Sequence, residues 1–213
     1  MKFISNQSIS LSQQEKDLII YNATQKYKEF MEALLIDVDN DPNSKDTPER
    51  VTKMFVNELC KGRYNDNPFI ESFPNTEQYN QIIFTNCEVI SLCAHHHVPI
   101  ISKVFMGILT NPSPKSKLIG LSKYTRIVEW IAARPTIQEE MTKQIHDAIY
   151  KICENNFGVM IYIIGQHGCT TYRGIKQSNS KMITSAISGA FKESETARIE
   201  FMNMVTNTLG ENK

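Results

Sequence analysis

Two stretches rich in β-branched residues, separated by a short cluster of histidines, constrain the fold of this chain most strongly. The first is QIIFTNCEVISLC (81–93) and the second is HVPIISKVFMGILT (97–110). Such residues fit the pleated surface of a sheet, so both stretches are predicted to be strands. Between them, LCAHHHVPI (92–100) holds three of the five histidines in the chain. The predicted sheet therefore carries a cysteine and several imidazoles at a strand end.

The rest of the C-terminal part shows further strand and helix patterns. VMIYIIG (159–165) is a nearly continuous apolar run, and MITSAISGAF (182–191) is predicted as a further strand. Residues 122–134 and 137–154 have helical patterns, and a closing helix is predicted over 194–208. This order predicts an α+β fold with a mainly antiparallel sheet backed by two helices.

The N-terminal part has a helical texture. Apolar residues recur at helical spacing over 12–36, which predicts an amphipathic helix. DTPERVTKMFVNELCKG (46–62) predicts a second helix with Asp46 or Thr47 as its N-cap and Gly62 past its end. The expected fold therefore includes an N-terminal helical extension.

A polar, proline-containing stretch at 63–79 is predicted to be a loop. It divides the chain into an N-terminal helical region with its linker (1–79) and a C-terminal α+β domain (80–213), which contains the cysteine and histidine cluster.

Charge and composition exclude several classes of partner. The chain has 23 Lys and Arg against 23 Asp and Glu, so its formal net charge is zero. No basic excess indicates binding to nucleic acid or to an anionic membrane, and no apolar run approaches the roughly 20 residues that span a bilayer. The five cysteines, without a recognisable export signal at MKFISNQSIS, predict reduced thiols and a cytoplasmic location.

The spacing of cysteine and histidine indicates a metal site. Cys93 and His96 are separated by two residues, and a second patch, GQHGCTTYRG (165–174), contains His167 and Cys169. Zinc accepts thiolate and imidazole ligands, and a catalytic zinc site has three protein ligands and a fourth position for water. Two other interpretations stay open from spacing alone: both cysteines are core residues, or they form a disulfide.

Four segments resemble, in order, the signature segments of GTP cyclohydrolase I. They are DTPERVTKMFVNEL (46–59), SLCAHHHVPI (91–100), IGLSKYTRIVEWIAARPTIQEEMTKQI (119–145) and QHGCTTYRGI (166–175). The resemblance covers roughly residues 45–205. It implies the tunnelling fold, or T-fold, and a homo-oligomeric ring, usually a decamer of two pentamers. It also implies hydrolysis of GTP at C8, which releases formate and yields 7,8-dihydroneopterin triphosphate.

Carried over residue by residue, the resemblance implies a zinc ion held by Cys93, His96 and Cys169. It also implies that His95 and His167 are the catalytic histidines. Histidine titrates near neutrality, which suits the proton transfers that opening of the purine five-membered ring requires. We expect His95 to donate a proton near that ring and His167 to serve ring opening or the later ribose rearrangement.

The resemblance places guanine recognition at Glu139, with Gln138 beside it. Guanine offers N1–H and the N2 amino group as adjacent donors, and an ionised carboxylate can accept from both. Without the resemblance, Glu139 is equally explained as an acidic residue in the first turn of a helix, where it complements the helix dipole.

The resemblance assigns the triphosphate to Ser122, Lys123 and Arg126 in GLSKYTR and to Arg173 in YRG. A helix start offers free N–H groups to phosphate, and arginine adds bidentate donors. Taken alone, such a helix start is usually only a solvated cap.

Three positions depart from the family pattern. Ala94 stands where the family has glutamate, Met182 where threonine is common, and His97 where an apolar or aromatic residue is usual. Loss of a group that supports a metal site can cost about 10–100-fold in metal affinity or activity. Two alternatives to GTP cyclohydrolase activity are a diverged enzyme of a pterin or 7-deazapurine pathway and a catalytically weak, ring-shaped nucleotide-binding protein.

Overall fold

The computed structural model describes residues 2–210, and the remaining residues, Met1 and 211–213, lie outside this description. The strands in chain order are β1 (Ser72–Pro74), β2 (Ile82–Cys93), β3 (Pro99–Leu109), β4 (Lys117–Ile119), β5 (Pro135–Thr136), β6 (Gly158–His167) and β7 (Met182–Ile187). The helices are α1 (Gln13–Ala33), α2 (Thr47–Met54), α3 (Lys61–Tyr64), α4 (Leu121–Ala132), α5 (Gln138–Ile152), α6 (Gly168–Thr171), α7 (Ala190–Glu193) and α8 (Glu195–Gly210).

A five-stranded sheet with the order β5-β2-β3-β6-β7 forms the centre of the fold. The four longer strands are antiparallel to their neighbours, while the two-residue β5 pairs in parallel with the end of β2. Leu92 lies opposite Pro99, and Ile100 lies opposite His167. The end of β2, the start of β3 and the end of β6 therefore meet at one edge of the sheet. This confirms the predicted α+β fold with a mainly antiparallel sheet.

Helices α4 and α5 cover one face of the sheet, as predicted. Their apolar sides and the alternate residues of the strands form one buried cluster, which includes Val104, Met106, Ile161 and Ile163 from the sheet and Ile127, Val128, Met141 and Ile145 from the helices. Alternation along the strands places these sheet residues on a single face. The two helices are thus held by their apolar stripes, and their ends are positioned relative to the strand ends.

The opposite face is covered only in part, by α7 and α8. Phe201 of α8 is fully buried against Phe84 and Phe191, with ring centroids 5.6 Å and 6.1 Å away. Gly107 lies below this ring, and a Cβ atom there would come within 2.5 Å of the Phe201 side chain. The glycine therefore lets the aromatic ring lie directly on the sheet.

The N-terminal helices confirm one expectation and correct another. Helix α1 begins at a capping box between Ser12 and Glu15, close to the predicted start at residue 12. Helix α2 changes into a π-helical segment, Phe55–Leu59, before α3. Gly62 does not follow the end of a helix as predicted; it lies within α3, where a Cβ atom would come within 2.0 Å of the Trp130 carbonyl oxygen. Close packing against α4 explains this glycine.

The prediction that residues 63–79 form a loop was only partly right. Ser72–Pro74 forms a short strand that pairs antiparallel with Lys117–Ile119. The partner lies far along the chain, so no local pattern could indicate the pairing. Among residues 2–210, no helix combines the length and apolar character that crossing a membrane requires.

Candidate metal centre and active site

Three side chains converge where β2 and β6 end. Cys93 is the last residue of β2, His96 lies in the turn that follows, and Cys169 lies in α6 directly after β6. The two Sγ atoms and an imidazole nitrogen all lie within 4.8 Å of one another. In a tetrahedral zinc site with Zn–S bonds of about 2.3 Å, sulfur ligands lie about 3.8 Å apart. The donor set and its spacing thus fit a metal ion with three protein ligands.

The turn between β2 and β3 is closed by backbone hydrogen bonds. The N–H of His97 donates to the Cys93 carbonyl over 2.8 Å, and the N–H of Cys93 donates to the Val98 carbonyl over 2.9 Å. Ala94 N–H donates to the Thr136 carbonyl in β5 over 3.0 Å. The backbone therefore fixes Cys93 and His96 relative to each other and to the start of α5.

His97 is not part of the metal group, which consists of Cys93, His96 and Cys169, and its ring packs elsewhere. Its backbone has a φ of 51°, a left-handed conformation that histidine adopts more readily than most residues. Its ring centroid lies 5.8 Å from that of Phe55 in the π-helical segment. His97 thus joins the turn to the N-terminal helices, and an aromatic residue at this position could make the same contact.

The electrostatics of the thiol pair favour a cation. Burial, and then the neighbouring thiol of Cys93, raise the pKa of the Cys169 thiol, while Arg173 opposes this rise. Two adjacent thiols resist losing both protons because the resulting thiolates would repel each other. A metal cation between the sulfur atoms removes this cost, since metals bind the deprotonated form.

His167 is held by Gln138, the first residue of α5. Nε2 of His167 lies 2.8 Å from Oε1 of Gln138. The Gln138 amide nitrogen donates to the carbonyl of Met182 and the hydroxyl of Thr184, at 3.1 Å and 3.0 Å. The amide orientation is therefore set, so Oε1 accepts and His167 Nε2 donates. In a neutral imidazole this leaves Nδ1 as the acceptor.

The charge state of His167 is controlled by its surroundings. Burial lowers the pKa of His167, and the carboxylate of Glu139 opposes that effect only in part. The imidazole is therefore mainly neutral at pH 7. Glu139 itself lies in the first turn of α5 with an exposed side chain.

Gly165 is a residue of this site that the sequence analysis did not identify. A Cβ atom at this position would lie 2.0 Å from Gln138 Oε1. The glycine therefore provides the space that the Gln138 amide occupies. A glycine within an apolar strand is the signal that indicates such a close approach.

The other residues of the predicted site fall into two groups. His95 is exposed next to His96, with ring centroids 6.3 Å apart, and Arg173 lies near enough to affect the ionisation of Cys169. Ser122, Lys123 and Arg126, by contrast, lie in the first turns of α4.

Helix α4 runs towards the metal group, so its first turn is the end far from it. Ala132 ends the helix shortly before β5, which pairs with Cys93. At 1.5 Å per residue, Ser122 lies about 15 Å along the helix from Ala132. Ser122 and Lys123 therefore lie at the end of α4 that is remote from the metal group, and Arg126 lies near the middle of the helix.

Comparison with known proteins agrees with this arrangement. Residues 23–206 match the sequence model of the family described as GTP cyclohydrolase I. A protein of Haemophilus ducreyi named GTP cyclohydrolase 1 is 35% identical over 206 residues, which cover 96% of this chain and 91% of that protein. A protein of Wigglesworthia glossinidia brevipalpis with the same name is 36% identical over 185 residues, which cover 86% of this chain and 83% of that protein. A protein of Pseudomonas syringae pv. tomato, named GTP cyclohydrolase 1 1, is 37% identical over 180 residues, which cover 81% of this chain and 91% of that protein.

Among solved structures, the archaeosine synthase QueF-Like in the apo form aligns with a TM-score of 0.40 and 12% identity, over 51% of this chain and 93% of that one. That similarity is too low to support a statement about this chain. The match to the family model spans most of the sequence, and the relatives share about a third of their residues with it over nearly their whole length. This chain belongs to the GTP cyclohydrolase I family.

Proposed function

We propose that this protein hydrolyses GTP at C8 of the guanine, releases formate and closes a pterin ring to give 7,8-dihydroneopterin triphosphate. The observation that carries this proposal is the convergence of Cys93, His96 and Cys169 at the strand ends, with His167 held by Gln138 at the end of β6. The relatives named GTP cyclohydrolase 1 support the same reaction.

The metal in this proposal is zinc, held by Cys93, His96 and Cys169. Two thiols and an imidazole are ligands that zinc prefers, and three protein ligands leave one position open. Zinc bound there would lower the pKa of a water molecule to about 7, which would supply hydroxide at neutral pH. Reduced thiols are required for this role, which supports a cytoplasmic location for the protein.

The two catalytic histidines have separate environments in the structure. Because Gln138 accepts from Nε2 of His167, the proposed role of His167 is to accept and return a proton at Nδ1. His95 is exposed on the turn that carries His96, so its imidazole is open to a ligand beside the metal group. We assign proton donation near the purine five-membered ring to His95 and the steps of ring opening or ribose rearrangement to His167.

Glu139 is the proposed guanine-recognition residue. Its exposed carboxylate lies near His167 and can accept from N1–H and the N2 amino group of guanine. Adenine does not offer this pair of donors. The Gln138 side chain is fully buried and its amide is used within the protein, so we assign it the positioning of His167 and not a contact to substrate.

The triphosphate requires cations from more than one chain in this proposal. Arg173 lies near the metal group, whereas Ser122 and Lys123 lie at the far end of α4 and Arg126 lies near its middle. A second copy that presents the start of its own α4 to this site would supply them. We therefore propose a homo-oligomeric ring, a decamer of two pentamers, in which neighbouring copies share each site.

Exposed apolar residues support such an assembly. Ile90, Ile101 and Ile183 are each more than half exposed on the part of the sheet face that α8 leaves uncovered. Ile90 and Ile101 lie directly opposite each other on β2 and β3. Large exposed apolar patches of this kind mark protein interfaces.

Complementation between chains tests the proposal. His167→Ala and Lys123→Ala chains are expressed separately and together, and GTP turnover is measured by neopterin fluorescence after oxidation and by formate release. Each variant alone is expected to be nearly inactive. Co-expression is expected to restore roughly a quarter of wild-type activity, because random mixing leaves an intact pair of residues at one interface in four. Absence of any recovery would show that one chain supplies both residues.

A further inference from the structure

The N-terminal segment, residues 3–9, is bound to the body of the protein through Arg63. The Arg63 guanidinium donates to the backbone carbonyls of Phe3 and Ser5 over 2.9 Å and 2.7 Å, and it stacks 3.9 Å from the Phe3 ring centroid. The Ile9 N–H donates in turn to the Arg63 carbonyl over 2.8 Å. The segment is therefore a fixed part of the structure.

Asn6, in the middle of this segment, makes two contacts with remote residues. Its side-chain Nδ2 donates to Oε2 of Glu140 over 2.6 Å, and its backbone carbonyl accepts from Nη1 of Arg134 over 3.0 Å. Asn6 is only 7% exposed, and its bond to Arg134 is buried, while its bond to the exposed Glu140 is partly buried. Asn6 thus connects Arg134 and Glu140, which lie six residues apart in the sequence.

The residues between those two points are part of the proposed active site. They comprise β5, whose Thr136 carbonyl binds the turn of the metal group, and the first residues of α5, Gln138 and Glu139. Helix α5 begins without a side-chain cap, because its N-cap residue is Ile137. The start of the helix therefore depends on contacts from elsewhere in the chain.

Arg134 also depends on Asn6. Its guanidinium is buried against the Trp130 ring at 3.7 Å, and its Nε and Nη2 make no hydrogen bond within the described part of the chain. A buried guanidinium with few partners is costly, so the bond from Nη1 to Asn6 matters for the position of this residue.

We propose that Asn6 is a positioning residue for guanine recognition. By holding Arg134 and Glu140, Asn6 fixes the segment between them. Glu139 is then placed to accept from the guanine, and Gln138 is placed to accept from His167 Nε2. This inference rests on the proposed function, but its structural part can be tested separately.

The kinetic test compares GTP with inosine triphosphate, which lacks the N2 amino group. In full-length Asn6→Ala, kcat/KM for GTP is expected to fall roughly two- to tenfold, the range for the loss of one hydrogen bond. Discrimination against inosine triphosphate is expected to fall with it, because a displaced Glu139 loses the contact to the amino group. Gln7→Ala, a change at the exposed neighbouring residue, is expected to keep the wild-type ratio. An equal loss for both nucleotides, or no loss, would overturn the proposal.

A second pair of variants separates positioning from general stability. Glu140→Gln retains an oxygen that accepts from Asn6 and is expected to behave as wild type. Glu140→Ala is expected to reproduce the Asn6→Ala defect, and the double variant is expected to be no worse than either single one. Additive defects would contradict a shared bond.

Hydrogen exchange of the backbone amides of residues 135–142 provides a readout without substrate. Asn6→Ala is expected to speed their exchange at least about tenfold, while Gln7→Ala leaves it unchanged. Unchanged exchange in Asn6→Ala would refute the positioning role whatever the kinetics show. If the wild-type protein does not turn over GTP, the proposed function fails, and the exchange experiment still decides the role of Asn6.

Discussion

Nε2 of His167, at the end of β6, lies 2.8 Å from Oε1 of Gln138, at the start of α5. The bond determines which imidazole nitrogen carries the proton, because the Gln138 amide nitrogen is already committed to Met182 and Thr184. A buried amide therefore sets the tautomer of a histidine beside the metal group. The packing that holds this amide should be as important for activity as the histidine itself.

Substitution of Gly165 tests that relationship. In Gly165→Ala the new Cβ atom would lie 2.0 Å from Gln138 Oε1, so the amide must move away from His167. We expect kcat to fall tenfold or more, since a correctly placed histidine typically contributes about 10²–10⁴-fold. The measurement is steady-state turnover of GTP. Gly210→Ala is the matched control, because its Cβ atom meets nothing within 4 Å. Equal activity of the two variants would contradict the proposed role of Gln138.

Substitution of Cys169 tests the metal group. Cys169→Ala leaves two of the three ligands. We therefore expect the zinc content to fall far below the value of about one ion per chain expected for the wild type, and we expect turnover of GTP to be lost. Cys87→Ala removes a half-buried thiol outside the cluster and should retain zinc. The metal is measured by mass spectrometry of the purified protein. Full zinc content in Cys169→Ala would exclude Cys169 as a ligand.

Substitution of Glu139 tests guanine recognition. Glu139→Gln keeps the size of the side chain but removes the charge that accepts both guanine donors. A hydrogen bond to a charged group is worth about 1.5–3 kcal/mol, so kcat/KM for GTP is expected to fall roughly 10- to 150-fold. Glu140→Gln, the same change at the next residue, serves as the control and should have little effect. Equal behaviour of the two variants would place guanine recognition elsewhere.

The buried thiol of Cys153 predicts how stability depends on alkaline pH. Burial raises the pKa of Cys153 to about 12, from an ordinary value of 9.0. Because the folded pKa is the higher one, this contribution to stability is complete below pH 9 and is lost as pH rises from there towards the folded value. At about pH 10 the loss is roughly 1.4 kcal/mol, the value of one pKa unit.

Urea unfolding at about pH 8 and about pH 10 measures this effect. The free energy of unfolding should fall by roughly 1.4 kcal/mol more in the wild type than in Cys153→Ala. Ile149→Val, which removes packing from α5 just before Cys153 without removing a titratable group, should keep the wild-type dependence on pH. An identical decrease in all three proteins would show that Cys153 does not titrate as its burial requires.

The sequence was sufficient for the long elements. The runs of β-branched residues predicted β2, β3 and β6. These strands are long, and each pairs with a neighbouring strand over most of its length. The resemblance identified the metal group, whose three residues the structure brings together. These features depend on local composition or on motifs of adjacent residues.

The sequence was not sufficient for features that depend on remote partners. The strand pair Ser72–Pro74 with Lys117–Ile119 is only three residues long, and Pro135–Thr136 is a strand only because it meets the end of β2. Gln138 was expected beside Glu139 in the substrate site, yet its side chain is fully buried against His167. Burial of a polar group is decided by the whole fold, so no local pattern could indicate it.

The most direct test of the account is turnover of GTP by the wild-type protein before and after removal of zinc with a chelator. Formation of neopterin and formate in equal amounts is predicted, together with loss of both on chelation and recovery when zinc is added back. Release of formate that persists in zinc-free protein, or no conversion of GTP by the zinc-loaded protein, would contradict the account.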